Sequence, residues 1–448
     1  MTTSRISAAT TVFACTISGG LLTLPKVFAN TTLGISLIIV VLSALTTFAS
    51  LLALVILSEI NPNVTGYGSL IGERFGVKAK RTLDGTIGLF LTGVIGASFI
   101  VVHGFVEDQI SDSFWISALV TISIAAVVVL LSMPKKMGAL SLAATFSMVS
   151  FIFLVVTLMY YGILELSSSP NLSNSTAPKW WLSNSTAPKW WPDKTSTNLS
   201  GNRLWTQIGT AVPVILYAFG CQIQVFDIYE SVGKKGTKNG VVHFIPVLIA
   251  AVSLMVVLFS ATGIFGVYSF PDSDISGDVL QTLAKKGLLG KIARGVLVLA
   301  CVLAAPLIIH PTRTCLASFV QVFQNMDSEH DKEMSNFARI VLTIIVVGSS
   351  TTLAISGINF LVVVGALGAF IASPLFFVIP GLMLLDGMKR YSKNNSSMVS
   401  LLNDGDVNTS QLSFNRNGSF ATNIMAVWLI VVGVLTFVLS VWSFVSTK

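Results

Sequence analysis

The chain has 448 residues, 27 Lys plus Arg against 20 Asp plus Glu, and it is 53% hydrophobic but only 10% charged. A soluble domain carries about 25% charged residues, so this sequence cannot coat a water-facing globule; at about 20 apolar residues per span it reads as a polytopic membrane protein with no separate soluble domain. The same arithmetic excludes nucleic-acid binding as the meaning of the net charge of +7, because the basic residues must lie in loops between spans.

Segments free of Asp, Glu, Lys and Arg mark the spans in chain order: 6–25, 32–58, 85–106, 113–134, 137–164, 204–226, 239–271, 295–312, 340–385 and 417–447. Nine are about one span long. The segment 340–385 would run about 69 Å as one helix, over twice the hydrocarbon thickness, so it is predicted to turn back at Ser356-Gly357-Ile358-Asn359. The expected total is eleven transmembrane helices, and an odd number puts the two termini on opposite sides.

Between the fifth and sixth spans, four N-glycosylation sequons begin at Asn171, Asn174, Asn184 and Asn198, which points this loop to the exterior or a lumen and the N-terminus to the cytosol. Basic residues agree independently: the loops that then face the cytosol hold 17 of the 27 Lys and Arg. The same loop carries a ten-residue tandem repeat, 172–181 and 182–191, read as a local duplication because two copies are too few for a solenoid. Plasma membrane is favoured over a vacuolar or lysosomal membrane, with the C-terminus extracellular or lumenal. Tyr67-Gly-Ser-Leu70 has the spacing of a sorting signal, a weaker reading than a structural one. With Cys15, Cys221 and Cys301 inside spans and Cys315 on the cytosolic side, neither a disulfide nor a metal site is expected.

Clustered Gly and Pro at membrane depth mean either a packing kink or an unwound segment lining a cavity. The first span holds Thr16-Ile17-Ser18-Gly19-Gly20 followed by Pro25, and the sixth holds Pro213 followed by Tyr217-Ala218-Phe219-Gly220-Cys221-Gln222. Broken helices suit a small zwitterion: half-helix N-termini face a carboxylate and freed carbonyls face an ammonium. Both readings stay open for each motif alone, but corresponding interruptions in two halves of a chain are the sequence pointer to a transporter site.

At these residues the chain resembles the amino acid/auxin permease family of the amino acid–polyamine–organocation superfamily, near the branch of sodium-coupled neutral and vacuolar amino acid transporters. The resemblance runs from about residue 10 to residue 442, through Ile17–Pro25, Tyr67–Gly76, Pro213–Cys221, Ala305-Pro306 with His310–Arg313, and Gly365–Gly368 leading to Pro380-Gly381. It implies a LeuT-like fold: an all-α polytopic membrane protein with a five-plus-five inverted repeat and an additional C-terminal helix. The corresponding divisions are residues 1–166 (first repeat), 167–206 (glycosylated loop), 207–385 (second repeat), 386–423 (cytosolic loop) and 424–448 (eleventh helix and C-terminus).

The resemblance also implies a substrate held between the broken first and sixth spans. Ser18, Gly19 and Gly20 match the family's Gly-x-Gly turn, with Ser in place of its first glycine, and their N–H groups become the expected carboxylate site, with Thr16 adding a hydroxyl. Tyr217, Phe219, Gly220 and Cys221 match the sixth-span break, where an aromatic ring covers the substrate side chain; Gln222 stands where relatives often have His. The oxygen-bearing side chains of sodium-coupled relatives are missing at Ala14 and at Ala300–Ala305, so H+ coupling or facilitated exchange is expected ahead of Na+, with no other cofactor. His103 and Glu107, four residues apart on the third span, are the proton candidates, against the alternative that Glu107, Asp108 and Asp112 mark the outer end of that span while His103 hydrogen-bonds nearby. The expected function is secondary active transport of neutral or small amino acids, not enzyme catalysis, with the amino acid and the bilayer as partners. The alternative is a membrane amino-acid sensor signalling through cytosolic loops.

Overall fold

Runs this apolar can satisfy their backbone in a bilayer only as helices or closed barrels, because lipid offers no hydrogen-bonding partner. The computed structural model describes residues 8–9, 11–13, 20–61, 64, 66–110, 113–133, 140–168, 201–232, 240–270, 275–323, 335–387 and 409–446. Among the described residues there is no β-strand. The glycosylation candidates Asn171, Asn174, Asn184 and Asn198, the tandem repeat, and Thr16, Ser18 and Gly19 lie outside them.

The helices in chain order are α1 Gly20–Thr31, α2 Leu33–Ile60, α3 Tyr67–Phe75, α4 Val77–Gln109, α5 Phe114–Leu131, α6 Leu140–Ser168, α7 Gly201–Ala218, α8 Val225–Ser231, α9 Gly240–Tyr268, α10 Val279–Ala284, α11 Leu288–Phe323, α12 Asn336–Ile355, α13 Phe360–Gly387 and α14 Thr409–Ser446. Ten stretches among the described residues are long and apolar enough to cross a membrane, with α7 and α8 together making one. Of the first predicted span, residues 8–9 and 11–13 are helical and α1 begins at Gly20, ending at Thr31 rather than Pro25.

The predicted reversal at 356–359 is present: α12 ends at Ile355, Gly357 takes a φ of 72°, and Asn359 caps α13 by accepting from the Leu361 N–H at 2.9 Å. The left-handed φ favours glycine at that position. Two helices run well past their charge-free windows. Residues 85–106 become Val77–Gln109 and 295–312 become Leu288–Phe323, placing Cys315 within α11. Some of the charges in these extensions are buried in the bundle, for example Arg313, whose Nη1 donates to the Ser132 carbonyl at 2.9 Å.

Between helices that lipid surrounds, close backbone approach and interhelical hydrogen bonds replace much of the hydrophobic drive. On α9, Gly263 faces the Phe28 ring of α1, where a Cβ would come within 2.7 Å of it, and Gly266 faces Pro25. Hydroxyls tie helices to neighbouring carbonyls: Ser269 to Leu158 at 3.0 Å, Ser373 to Gly433 at 2.8 Å and Ser443 to Thr206 at 2.9 Å. The outward faces of α5, α12 and α14 expose apolar side chains such as Leu119, Leu130, Ile344, Ile345 and Val438, as a lipid-facing surface requires.

Tyr67 and Leu70, the ends of the sorting-signal spacing, are both buried. Tyr67 donates its hydroxyl hydrogen to the Leu375 carbonyl, so this motif locks the connecting helix α3 against α13.

Candidate functional site

The sixth-span interruption is a true break. Helix α7 ends at Ala218, residues 222–224 form a 3-10 turn, and α8 resumes at Val225. The Phe219 N–H still bonds the Ile215 carbonyl at 3.2 Å, but the Gly220 N–H turns to Tyr217 O at 3.0 Å instead of Leu216 O. The Cys221 N–H, which a continuous helix would give to Tyr217 O, goes to the Gln222 side-chain Oε1 at 2.9 Å.

That bond fixes the orientation of the Gln222 amide, because a backbone N–H requires the oxygen rather than the nitrogen. Gln222 is fully buried, and its Nε2 has no hydrogen-bond partner among the described residues. A buried donor left open costs about 1–3 kcal/mol, which an acceptor entering the break would relieve. On α2, Thr47 Oγ1 is likewise buried and without a partner among the described residues; it lies three residues before Ser50, whose hydroxyl donates to the Phe376 carbonyl.

Of the predicted substrate residues, Gly20, Tyr217, Phe219, Gly220 and Cys221 are brought together; Thr16, Ser18 and Gly19 fall outside the described residues. A Cβ on Gly20 would lie 2.8 Å from Ala218 Cα and 3.0 Å from Tyr217 Cδ1, so the first and sixth spans touch at the two motifs. A Cβ on Gly220 would lie 2.7 Å from the Phe376 ring. The rings are committed differently. Phe219 packs on Phe259 of α9 with centroids 4.8 Å apart, while Tyr217 packs on Phe90 of α4 at 5.9 Å. Phe90 also packs on Phe376 at 5.3 Å, linking α4, α7 and α13 around the break.

The second half of the 340–385 segment, α13, was expected as a plain span, and its winding beside the break was not foreseen. Its middle is wound as two π-helical turns, Leu367–Ala372 and Pro374–Val378, and wide turns of this kind recur at functional sites. Pro374, which has no N–H to continue the ladder, was the available signal.

The proton candidates lie at the other end of α4, on a cavity of about 230 Å³ whose walls include His103, Glu107, Ser276, Asp278, Gln281 and Asn359. His103 is buried; its Nδ1 is 2.8 Å from Thr121 Oγ1, and its Nε2 is 3.4 Å from Glu107 Oε1. The Thr121 hydroxyl gives its single hydrogen to the Ser117 carbonyl, so it accepts from His103 Nδ1–H. In neutral His103 the lone pair on Nε2 therefore points toward the Glu107 carboxylate, and a proton arriving there turns the contact into an ion pair.

Two residues beside this cavity were not singled out from sequence. Arg294, almost wholly buried in α11, donates from Nη1 to Asp108 Oδ2 at 2.6 Å and stands over the Phe105 ring. Asp278 caps α10 by accepting from the Leu280 N–H at 3.0 Å. Burial pushes its carboxyl up to about 6, with the Asp108 charge adding to the rise and the Leu280 N–H and Arg294 opposing it. At the opposite end Arg74 is paired with Asp386, and Tyr229 donates to Glu59. Lys234 and Lys235, possible partners in sequence for Asp227 and Glu230, lie outside the described residues.

The chain is 24% identical over 307 residues to sodium-coupled neutral amino acid transporter 7 of Danio rerio, covering 67% of this chain and 57% of that protein. It is 22% identical over 327 residues to sodium-coupled neutral amino acid symporter 2 of Danio rerio, with the same two coverages of 67% and 57%. The match thus spans less than two thirds of these relatives' length. Among solved structures, a substrate-bound, outward-open Na+-coupled sialic acid symporter aligns over 98% of this chain and 90% of its own, with a TM-score of 0.50 at 12% identity, a likeness of fold alone. The model of the transmembrane amino acid transporter protein family matches residues 1–403, and with that match, on a bundle of apolar helices, the chain belongs to this family of transporters rather than to any class of enzyme.

Proposed function

We propose that the chain is a secondary transporter of small or neutral amino acids working by alternating access, with the substrate held where Gly20 meets the break at residues 219–224. One observation carries the reading: the interruption of α7 leaves a buried, oriented donor, Gln222 Nε2, open beside freed backbone at the point of contact with the first span. The Gly-rich sequence Thr16 to Gly20 is the source proposed for N–H groups to the carboxylate, and the wall of α4, α7 and α13 receives the side chain. The relatives' names support a neutral amino acid as cargo. Eleven spans in two inverted repeats, with a cytosolic N-terminus and the plasma membrane as the preferred location, complete the proposal.

Coupling to H+, or facilitated exchange, stands ahead of Na+. His103 Nε2 faces Glu107 Oε1 across 3.4 Å on a cavity, and the apolar side chains at Ala300–Ala305 offer sodium no hard oxygen ligands. Sodium coupling is the second reading, favoured by the names of the relatives.

The test is uptake of radiolabelled amino acids into proteoliposomes under imposed proton or sodium gradients. Competable uptake driven by an inward proton gradient is expected. Absence of flux for every amino acid would refute transport, and flux responding only to sodium would replace the coupling ion.

A further inference from the structure

At the end of the bundle expected to face the cytosol, three basic side chains come together outside the substrate path. His310 and Arg313 lie one turn apart on α11, and Arg339 sits in the first turn of α12. The charges of Arg313 and Arg339 act on each other and on the His310 ring. Neither arginine is paired with a carboxylate among the described residues. Arg313 Nη1 is taken by the Ser132 carbonyl and Arg339 Nη2 by Asn336 Oδ1 at 2.9 Å, while Arg339 Nε is buried with no hydrogen-bond partner among the described residues. Asp84, the carboxylate of α4 that packs on this end of α11, accepts from Ser318 Oγ at 2.6 Å.

Two further features fix the chemistry that would fill this site. Ser335 caps α12, accepting from the Ala338 N–H at 3.1 Å, so the positive end of a twenty-residue helix adds to the same field. Beside the cluster the surface is apolar and outward-facing: Phe337 is 78% exposed on α12 and Leu130 is 70% exposed on α5, with Ile340 and Ile344 continuing the strip. Clustered cations at the depth where polar and apolar surface meet, next to room for acyl chains, match an anionic headgroup and its tails.

We propose that His310, Arg313, Arg339 and the N-terminus of α12 form a binding site for the phosphate of an anionic phospholipid in the cytosol-facing leaflet. Arg339 supplies the open donor, Arg313 sits behind it as a fixed charge, and His310 completes the cluster. The site is separate from the proposed substrate site and does not depend on which amino acid is carried.

The experiment titrates the purified full-length protein with phosphatidylglycerol, phosphatidylcholine or inorganic phosphate, following thermal unfolding and counting bound lipids by native mass spectrometry. Phosphatidylglycerol is expected to give a saturable rise in melting temperature and a retained adduct that phosphatidylcholine and phosphate do not reproduce. Arg339→Gln should weaken the phosphatidylglycerol midpoint about fivefold, the effect of one basic residue at a membrane surface, while Lys291→Gln at the opposite end of α11 leaves it unchanged. Equal stabilisation of the wild type by both lipids would overturn the site, and this comparison needs no variant to fold. An unchanged midpoint in Arg339→Gln, or the same weakening in Lys291→Gln, would also overturn it. A full shift with inorganic phosphate alone would refute a lipid as the ligand.

Discussion

Gly20 and Ala218 meet backbone to backbone: a methyl group on Gly20 would lie 2.8 Å from both Ala218 Cα and Ala218 Cβ. The contact joins the first residue of α1 to the last residue of α7, immediately before the chain leaves helical geometry. Any movement that opens a path between these spans must part this seam. The absence of a side chain at Gly20 is what allows α1 and α7 to approach this closely.

Gly20→Val and Gly220→Val are expected to abolish amino-acid uptake while the protein still reaches its membrane. At Gly20 the obstacle is Ala218 backbone; at Gly220 it is the Phe376 ring and the Tyr217 carbonyl at 3.0 Å. Overpacking of this kind costs about 1–3 kcal/mol, which lowers stability without unfolding most proteins. Paired surface-expression and uptake measurements check this, and near-normal uptake by both variants would reduce these glycines to packing residues.

Gln222→Glu keeps an oxygen for the Cys221 N–H but removes the open Nε2 donor. Substrate affinity should fall about tenfold or more, as for a lost hydrogen bond in a buried site. Equilibrium binding of labelled amino acid to purified protein reads this directly. Binding equal to wild type would remove the Gln222 side chain from the site.

The spans were legible because scarce charges punctuate apolar runs, and the turn at Gly357 was legible because one helix could not be 46 residues long in a bilayer. The limits of α4 and α11 were not, because the charge-free criterion stops at residues such as Arg294 and Arg313, whose charges are met by Asp108 and the Ser132 carbonyl inside the bundle. Pairing across more than a hundred residues leaves no local pattern. The break at Phe219 to Gln222 was announced by Gly220 and Pro213, whereas the part played by Phe376 and Phe90 follows from three helices converging and has no signal in spacing. The spacing of His103 and Glu107 predicted a shared face; the tautomer depends on Thr121, on a different helix.

If the proposed coupling holds, His103→Ala should flatten the pH dependence of uptake, because it removes the ring nitrogen that faces Glu107. Thr121→Val is a sharper probe: it removes the acceptor for Nδ1–H and with it the preference for a bare Nε2. Uptake by Thr121→Val should shift in its pH profile rather than vanish. Proteoliposome flux measured from pH 5.5 to 8 gives both profiles, and wild-type pH dependence in both variants would exclude His103 from coupling.

Asp278 makes the pH dependence of stability testable at the cavity that His103 lines. Its carboxyl is raised from 3.8 to about 6, chiefly by burial. Between these values the folded state binds more protons than the unfolded chain, so this group favours folding most fully below pH 4 and the contribution is lost as pH rises through about 6. A shift of this size corresponds to a stability change on the order of 1–3 kcal/mol. Asp278→Asn mimics the protonated group and retains the cap on α10, since Asn and Asp cap equally well. The variant should therefore melt close to wild type at pH 4 and above it at pH 7.5, in thermal unfolding of the purified protein. A variant less stable than wild type at pH 7.5 would mean that the charge on Asp278 is held by Arg294 strongly enough to outweigh its burial.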